Sequence, residues 1–151
     1  MFFRSLPAVL CALTLALSSR AAEVSLALFD KVDIEPAKTS IFLGSVTMTM
    51  TTFARKHGIY EAPYTAKLFP YFFLNERGRL LVDVSDEMLR KLERGEAVEF
   101  KGRALRDDGV ERRVEGKATP ADTTGGKIKV RIFVTKKLEL IFNTTYRFVK
   151  P

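Results

Sequence analysis

The sequence feature that most constrains the fold is an alternation of apolar and polar side chains from Lys127 to Phe148. In its first half, β-branched residues occupy every second position, at Ile128, Val130, Ile132 and Val134. In its second half, large apolar residues follow the same period, at Leu138, Leu140, Phe142, Tyr146 and Phe148. A period of two is typical of strands with one buried face, so this stretch predicts two strands of a sheet.

Those two strands are expected to pair as an antiparallel hairpin with an odd-length turn at residues 135–137. An odd turn sets Ile132 opposite Leu140 and Val130 opposite Phe142, and both apolar faces then point to the same side. A two-residue turn would direct the polar side of one strand to the core, because a shift of one residue reverses every side chain.

Residues 1–22 have the composition of a secretory signal peptide. Arg4 supplies positive charge, the stretch Leu6–Leu17 is apolar, and small residues suit cleavage after Ala21. The apolar stretch is shorter than the roughly 20 residues that a membrane-spanning helix needs. Cleavage is therefore the favoured interpretation, with an uncleaved membrane anchor as the alternative, and the cleaved chain would have no transmembrane helix.

Residues 23–151 are expected to form a single antiparallel β domain held together by its core. Cys11, the only cysteine, leaves with the predicted leader, so no disulfide is available. A chain of about 130 residues can bury roughly two-thirds of its unfolded surface, which suffices for one domain. The formal charge of +7 falls to +5 when Arg4 and Arg20 are removed. This mild basic excess favours anionic partners without indicating nucleic-acid binding.

Six further stretches alternate in a similar way and predict strands. They are Val24–Ile34, Ile41–Arg55, Tyr64–Leu74, Arg79–Val84, Val98–Leu105 and Val110–Ala118. A three-residue turn ending at Gly109 would set Lys101 opposite Glu115. A four-residue turn at 75–78 would set Phe73 opposite Leu80, in a hairpin covered on both faces.

Residues Ser85–Arg94 predict the one short helix. Ser85 suits the N-cap, and Gly95 suits the position after the C-cap. Met88, Leu89 and Leu92 give the helix an apolar stripe. Together with eight candidate strands, this predicts an all-β fold with one short helix, as an antiparallel β-barrel or sandwich of about eight strands.

Residues suited to metal or nucleophilic chemistry are scarce. The predicted mature chain has one histidine, His57, and no cysteine, whereas structural zinc sites draw on several such ligands. His57 lies beside Gly58 in a predicted loop, and no nucleophile motif or phosphate-binding glycine pattern is present. No catalytic residue, metal site or cofactor is therefore predicted, and a non-enzymatic role is favoured.

Two groups of residues are candidates for binding a ligand. Basic residues are dense in the C-terminal half, where an anionic lipid, a glycan or an envelope protein would be a complementary partner. Aromatic residues are dense from Tyr60 to Phe73, where core packing is favoured over a ligand-lined barrel opening or an exposed contact surface. An ordinary solvated face is the favoured interpretation of the basic group. The candidate ligand-binding residues are Lys127, Lys129, Arg131, Arg112, Tyr64 and Tyr71.

The favoured hypothesis is an exported, soluble protein of the cell envelope, periplasmic or secreted, that binds an anionic or amphipathic ligand or has a structural role. A small outer-membrane barrel is the second hypothesis, since eight alternating strands suffice for that class. A barrel-type hydrolase or isomerase with an unidentified carboxylate site is the third, because such carboxylates meet only in space. No specific nucleic acid is expected as a partner, and no motif assigns the chain to a family.

Overall fold

The computed structural model describes residues 26–151, and the predicted leader at residues 1–22 lies outside this range. Helix α1 (Asp86–Glu93) and a 3-10 turn (Phe72–Leu74) interrupt a chain made mainly of strands. The strands are β1 (Lys31–Ile34), β2 (Ala37–Ile41), β3 (Gly44–Met50), β4 (Phe53–Lys56), β5 (Ile59–Phe69), β6 (Glu76–Asp83), β7 (Val98–Arg106), β8 (Glu111–Pro120), β9 (Gly125–Phe133) and β10 (Glu139–Phe148).

Eight antiparallel strands close into a barrel, in the order β1, β4, β5, β6, β7, β8, β9 and β10, and β10 pairs back to β1. β3 and β4 pair with successive parts of β5, and β2 pairs with β3. β2 and β3 therefore extend the wall beyond short breaks at residues 35–36 and 51–52. This confirms the prediction of an all-β fold with one short helix, and the sheet forms a barrel and not a sandwich.

The two ends of the barrel are built differently. The loops at residues 42–43, 70–75, 107–110 and 134–138 share one end, here called the open end. The other end, here called the capped end, is covered by residues 26–30 and by α1. Leu89 of α1 is fully buried, and the Tyr60 hydroxyl donates a hydrogen bond to the Phe29 carbonyl oxygen. The core is therefore sealed from water at one end only.

Helix α1 forms where the sequence predicts it. The Ser85 hydroxyl oxygen accepts a hydrogen bond from the Met88 N–H at 3.2 Å, as an N-cap does. Gly95 follows the C-cap with a φ of 81°. Arg55 of β4 holds the start of the helix, because its Nη2 donates to the Val84 carbonyl oxygen at 2.8 Å and lies 2.7 Å from Asp86 Oδ1.

The hairpin of β9 and β10 has the predicted register. Ile132 pairs with Leu140, and Val130 pairs with Phe142. Ile132 is 5% exposed, whereas Lys129 on the alternate face is exposed. The period-two pattern therefore placed both strands and both faces correctly.

The hairpin of β7 and β8 also has the predicted register, with Lys101 opposite Glu115. Gly109 closes its turn with a φ of 91°, a conformation that side chains disfavour. Inside the barrel, the ring of Phe100 on β7 occupies the space where a Cβ atom of Gly116 on β8 would lie. The absence of a side chain at Gly116 therefore lets a large ring fill the middle of the barrel.

The predicted pairing of Phe73 with Leu80 is wrong. β5 ends at Phe69, and Leu80 pairs instead with Ala62. Residues 70–75 form a loop that begins at the cis peptide bond of Pro70 and contains the 3-10 turn. Core packing was also wrong for part of the aromatic run, because Phe69, Phe72 and Phe73 are 61%, 59% and 82% exposed.

The first two predicted strands have different boundaries in the structure. In the described part of Val24–Ile34, only Lys31–Ile34 forms a strand, and Leu28 is 50% exposed. The predicted strand Ile41–Arg55 contains a tight turn, in which Leu43 has a φ of 58°. Phe42 has the parity of Val46 and Met48, but it lies in the turn and is exposed, and the buried side of β2 is at odd-numbered positions such as Ala37.

Candidate ligand-binding site

A cavity of about 340 Å³ opens at the open end of the barrel. Its lining is mostly apolar and comes from several strands, with Ile41, Met48, Leu68, Ile132 and Leu140 among its members. Three charged residues complete the lining, Glu76, Arg106 and Arg112. Pockets of about 300–1,000 Å³ with a few convergent polar groups are typical small-molecule sites. This cavity is therefore the candidate site, at the small end of that range.

The charged residues point inward because of their positions in the strands. Arg106 follows the buried residue Ala104 by two positions in β7, so its side chain points to the interior. Arg112 precedes the buried residue Val114 by two positions in β8 and also points to the interior. Ala104 lies directly opposite Arg112 in the ladder, and Ala66 of β5 lies opposite Glu76 of β6. These two small side chains leave room for the long arginine side chains and for the cavity between them.

Glu76 is the centre of a polar cluster within the cavity. Its Oε1 accepts hydrogen bonds from Nη1 of Arg112 and, at 3.2 Å, from the hydroxyl of Tyr64. Its Oε2 lies 3.7 Å from Nη1 of Arg106. Arg106 also pairs with Asp108, whose side chain is 49% exposed in the β7–β8 loop. In the lining of the cavity, two guanidinium groups thus share one carboxylate, and Asp108 outside the lining balances the second arginine.

Arg112 has an unused hydrogen-bond donor. Its side chain is 15% exposed, and its Nε is buried without a hydrogen-bond partner among the described residues. A buried donor left without an acceptor costs about 1–3 kcal/mol. Because Nε itself has almost no accessible surface, an oxygen atom of a bound molecule accepts from it only if the guanidinium group turns toward the cavity that Arg112 lines.

Tyr64 acts in this cluster as a fixed hydrogen-bond donor. Burial raises the pKa of its hydroxyl well above the ordinary value, and the negative charge of Glu76 raises the pKa further. The hydroxyl therefore keeps its proton near neutral pH and continues to donate it to Glu76. This arrangement fixes the position of the carboxylate and makes Tyr64 unsuited to accept a proton.

The structure brings two of the six candidate binding residues together in the cavity, Arg112 and Tyr64. Tyr71 lies nearby in the loop of the open end, where its ring contacts that of Phe73 at a centroid distance of 6.2 Å. Sequence reasoning did not select Glu76 and Arg106 for the site. The sequence predicts a turn at Glu76, and it places Arg106 between the predicted strand Val98–Leu105 and the turn at residues 107–109.

The other three candidates, Lys127, Lys129 and Arg131, lie on the outer face of β9. Lys129 and Arg131 line a surface groove of about 530 Å³ that also contains acidic residues of β7 and β8. The ladder sets Glu115 opposite Arg131 and Lys117 opposite Lys129. Mixed charge at exposed positions is what a solvated strand face requires.

The remaining residue types relevant to chemistry lie apart from the cavity. His57 occupies the β4–β5 turn at the capped end, with a φ of 52°. In residues 26–151, no three His, Cys, Asp or Glu side chains come close enough to hold a metal ion. No helix in that range combines the length and apolar character needed to cross a membrane.

Comparison of the chain with protein-family models, with curated proteins and with solved structures finds no match. The functional proposal therefore rests on the geometry of the cavity.

Proposed function

We propose that this protein is an exported binding protein of the cell envelope that holds one small amphipathic molecule inside its barrel. The apolar tail of the ligand occupies the cavity between β2, β3, β9 and β10. Its anionic head group, of the carboxylate class, accepts hydrogen bonds from Arg112 and contacts Arg106. Export rests on the predicted leader, and binding rests on the cavity.

The observation that carries the proposal is the buried, unpartnered Nε of Arg112 beside an apolar cavity. A carboxylate fits this position because arginine binds carboxylates through two parallel N–H donors, and Nη1 alone is used by Glu76. The excess of positive over negative side chains in the lining favours an anionic over a cationic head group. The small volume favours a single short chain over a bulky lipid.

The distribution of polar and apolar side chains between the two faces of the strands favours a barrel surrounded by water over an outer-membrane barrel. Membrane barrels carry an apolar band outside and polar residues inside. Here β8 and β9 carry Glu115, Lys117, Lys129 and Arg131 on the outside, whereas Ile128 and Val114 are buried inside. The distribution of polarity is therefore the reverse of that class.

The hydrolase or isomerase alternative has less support. Glu76 is the carboxylate that lines the cavity, and its Oε1 already accepts hydrogen bonds from Arg112 and Tyr64. A carboxylate held in this way is a poor general base, because proton transfer would break the contacts that position it. No observation favours this alternative over binding.

The test is a titration of the protein, produced with its full sequence and purified from the exported fraction, with dodecanoate, dodecanol and dodecylamine. Calorimetry should show dodecanoate binding at least about tenfold more tightly than dodecanol, a difference of about 1.4 kcal/mol. Dodecylamine should bind most weakly, because its cationic head group meets two guanidinium groups.

Arg112→Met should abolish the preference for dodecanoate over dodecanol, because it retains an apolar stem but no donor. Lys129→Met on the outer face is the matched control and should leave all three affinities unchanged. Equal affinities for the acid and the alcohol in the unsubstituted protein, or an unchanged preference in Arg112→Met, would overturn the proposal.

A further inference from the structure

The open end carries an exposed apolar surface, here called the apolar rim. It consists of Phe42, Leu43, Phe69, Phe72, Phe73, Leu74, Val110 and Leu138. Within residues 26–151, these are eight of the nine large apolar side chains that are exposed, and the ninth, Leu28, lies at the capped end. Exposed apolar side chains concentrated in one region indicate an interaction surface, whereas scattered ones need no explanation.

Two loops of the open end form one side of the apolar rim. Phe42 occupies the β2–β3 turn, and Ser45 just after that turn pairs with Phe69 at the end of β5. The ring of Phe72 lies edge-on to Phe69 at a centroid distance of 5.8 Å. Phe42 and Phe73 are 89% and 82% exposed, so neither ring is covered by its neighbours.

Basic side chains flank this side of the apolar rim. Lys136 and Lys137 lie in the β9–β10 turn immediately before Leu138, and both are exposed. The Thr135 hydroxyl oxygen accepts hydrogen bonds from the Lys137 and Leu138 N–H groups, which fixes the turn that presents them. β10 lies next to β2, so these lysines are on the neighbouring side of the wall from Phe42. Protruding rings beside lysines match the boundary between the acyl chains and the anionic head groups of a bilayer.

We propose that the part of the apolar rim around Phe42 and Phe73 inserts into the surface of an anionic lipid bilayer, with Lys136 and Lys137 contacting head groups and the cavity opening toward the lipid. The barrel then lies tilted, because the β7–β8 loop on the far side carries Asp107 and Asp108 and stays in water together with Val110. A bilayer accepts separate protruding side chains because it is fluid. Burial of these side chains against a second copy of the chain would need a continuous complementary surface. Side chains that protrude from separate loops do not form such a surface.

The proposal stands independently of what the cavity binds, because Phe42, Phe73, Lys136 and Lys137 do not line the cavity. Co-flotation of the protein with vesicles measures insertion directly. Vesicles of equal parts phosphatidylcholine and phosphatidylglycerol should carry the protein upward, and pure phosphatidylcholine should carry less. The combined variant Phe42→Ser/Phe73→Ser should reduce binding by about tenfold or more, because it removes the apolar part of the interaction.

Lys136→Ser/Lys137→Ser should lose most of the preference for anionic vesicles, and added salt should affect its binding less than that of the unsubstituted protein. Leu28→Ser is the matched control, since it removes an exposed leucine from the opposite end and should leave flotation unchanged. A second measurement uses the absence of tryptophan from the chain. Phe73→Trp should show a blue-shifted emission with anionic vesicles that Leu28→Trp does not show.

Failure to float with either kind of vesicle would overturn the proposal. A dimer in solution that dissociates in Phe42→Ser/Phe73→Ser would also overturn the proposal, because the apolar rim would then bind a second copy of the chain. Failure here is distinguishable from failure of the cavity proposal. Phe42→Ser/Phe73→Ser should still prefer dodecanoate to dodecanol, and Arg112→Met should still float.

Discussion

Glu76 and Arg112 form an ion pair inside the barrel, with side-chain exposures of only 16% and 15%. Charges removed from water to this degree are stabilising only while both partners are present. The pair therefore links the stability of the fold to the polar cluster that the proposed ligand would contact.

Glu76→Ala is expected to lower the free energy of unfolding by about 3 kcal/mol, because it leaves the buried guanidinium group of Arg112 without a carboxylate, whereas Arg106 keeps Asp108. Urea unfolding followed by circular dichroism measures the loss. The double variant Glu76→Leu/Arg112→Met should be more stable than Glu76→Ala, since it removes the uncompensated charge. Equal midpoints for Glu76→Ala and the unsubstituted protein would contradict this assignment.

Alkaline pH is expected to destabilise the fold through its buried tyrosines. Burial raises the pKa of Tyr146 from its ordinary value of 10.0 to about 12 and raises that of Tyr60 as well. The unfolded chain therefore releases these protons at lower pH than the folded chain does. The resulting stability is complete below about pH 10 and is lost as the pH rises toward the folded pKa.

Urea midpoints at about pH 9 and about pH 11 should show this decline, since ionisation favours the unfolded state in that interval. Tyr146→Phe should reduce the difference between the two midpoints, because it removes one of the shifted groups. An identical decline in Tyr146→Phe would show that other groups cause it.

Gly116→Ala is expected to destabilise the barrel by about 1–3 kcal/mol, the usual cost of overpacking a core. Its Cβ would overlap the Phe100 ring and would approach the Lys129 carbonyl oxygen to 2.8 Å. Thermal unfolding measures the effect. Glu115→Ala, at the next position on the outer face, is the control and should change stability little.

A double-variant cycle identifies the cause. Phe100→Leu frees part of the space, so its effect combined with Gly116→Ala should be smaller than the sum of the two separate effects. Additive effects would mean that the ring is not the obstacle at Gly116.

The hairpins of the C-terminal half could be predicted from the sequence because one face of each strand is buried and the other is solvated. Lys129 lies between Ile128 and Val130 and must stay in water. It therefore fixes which side of β9 faces the core and how β9 pairs with its neighbours, since a slip of one residue would bury the lysine. Ser85 and Gly95 mark the ends of the helix by local chemistry alone. These features need no knowledge of distant parts of the chain.

The predictions that were wrong concern features that depend on contacts between distant residues. Phe42 shares the parity of the buried residues Val46 and Met48, so the alternation could not reveal that the chain reverses at this residue. Phe72 and Phe73 have the composition of a core strand, yet they are exposed at the open end. Arg106 and Arg112 do follow the inward parity of β7 and β8, and this signal could have identified the polar cluster before the structure did.

The ladder between β1 and β10 joins the two ends of the described chain, whereas the other ladders connect strands much closer in sequence. It contains three residue pairs, from Val32 with Phe148 to Ile34 with Tyr146. Each hairpin can form from two neighbouring strands, whereas this seam needs β1 and β10 together. Strand β1 is held by these three pairs and by only two pairs to β4, so thermal fluctuations that open the wall will begin at β1, the latch of the barrel.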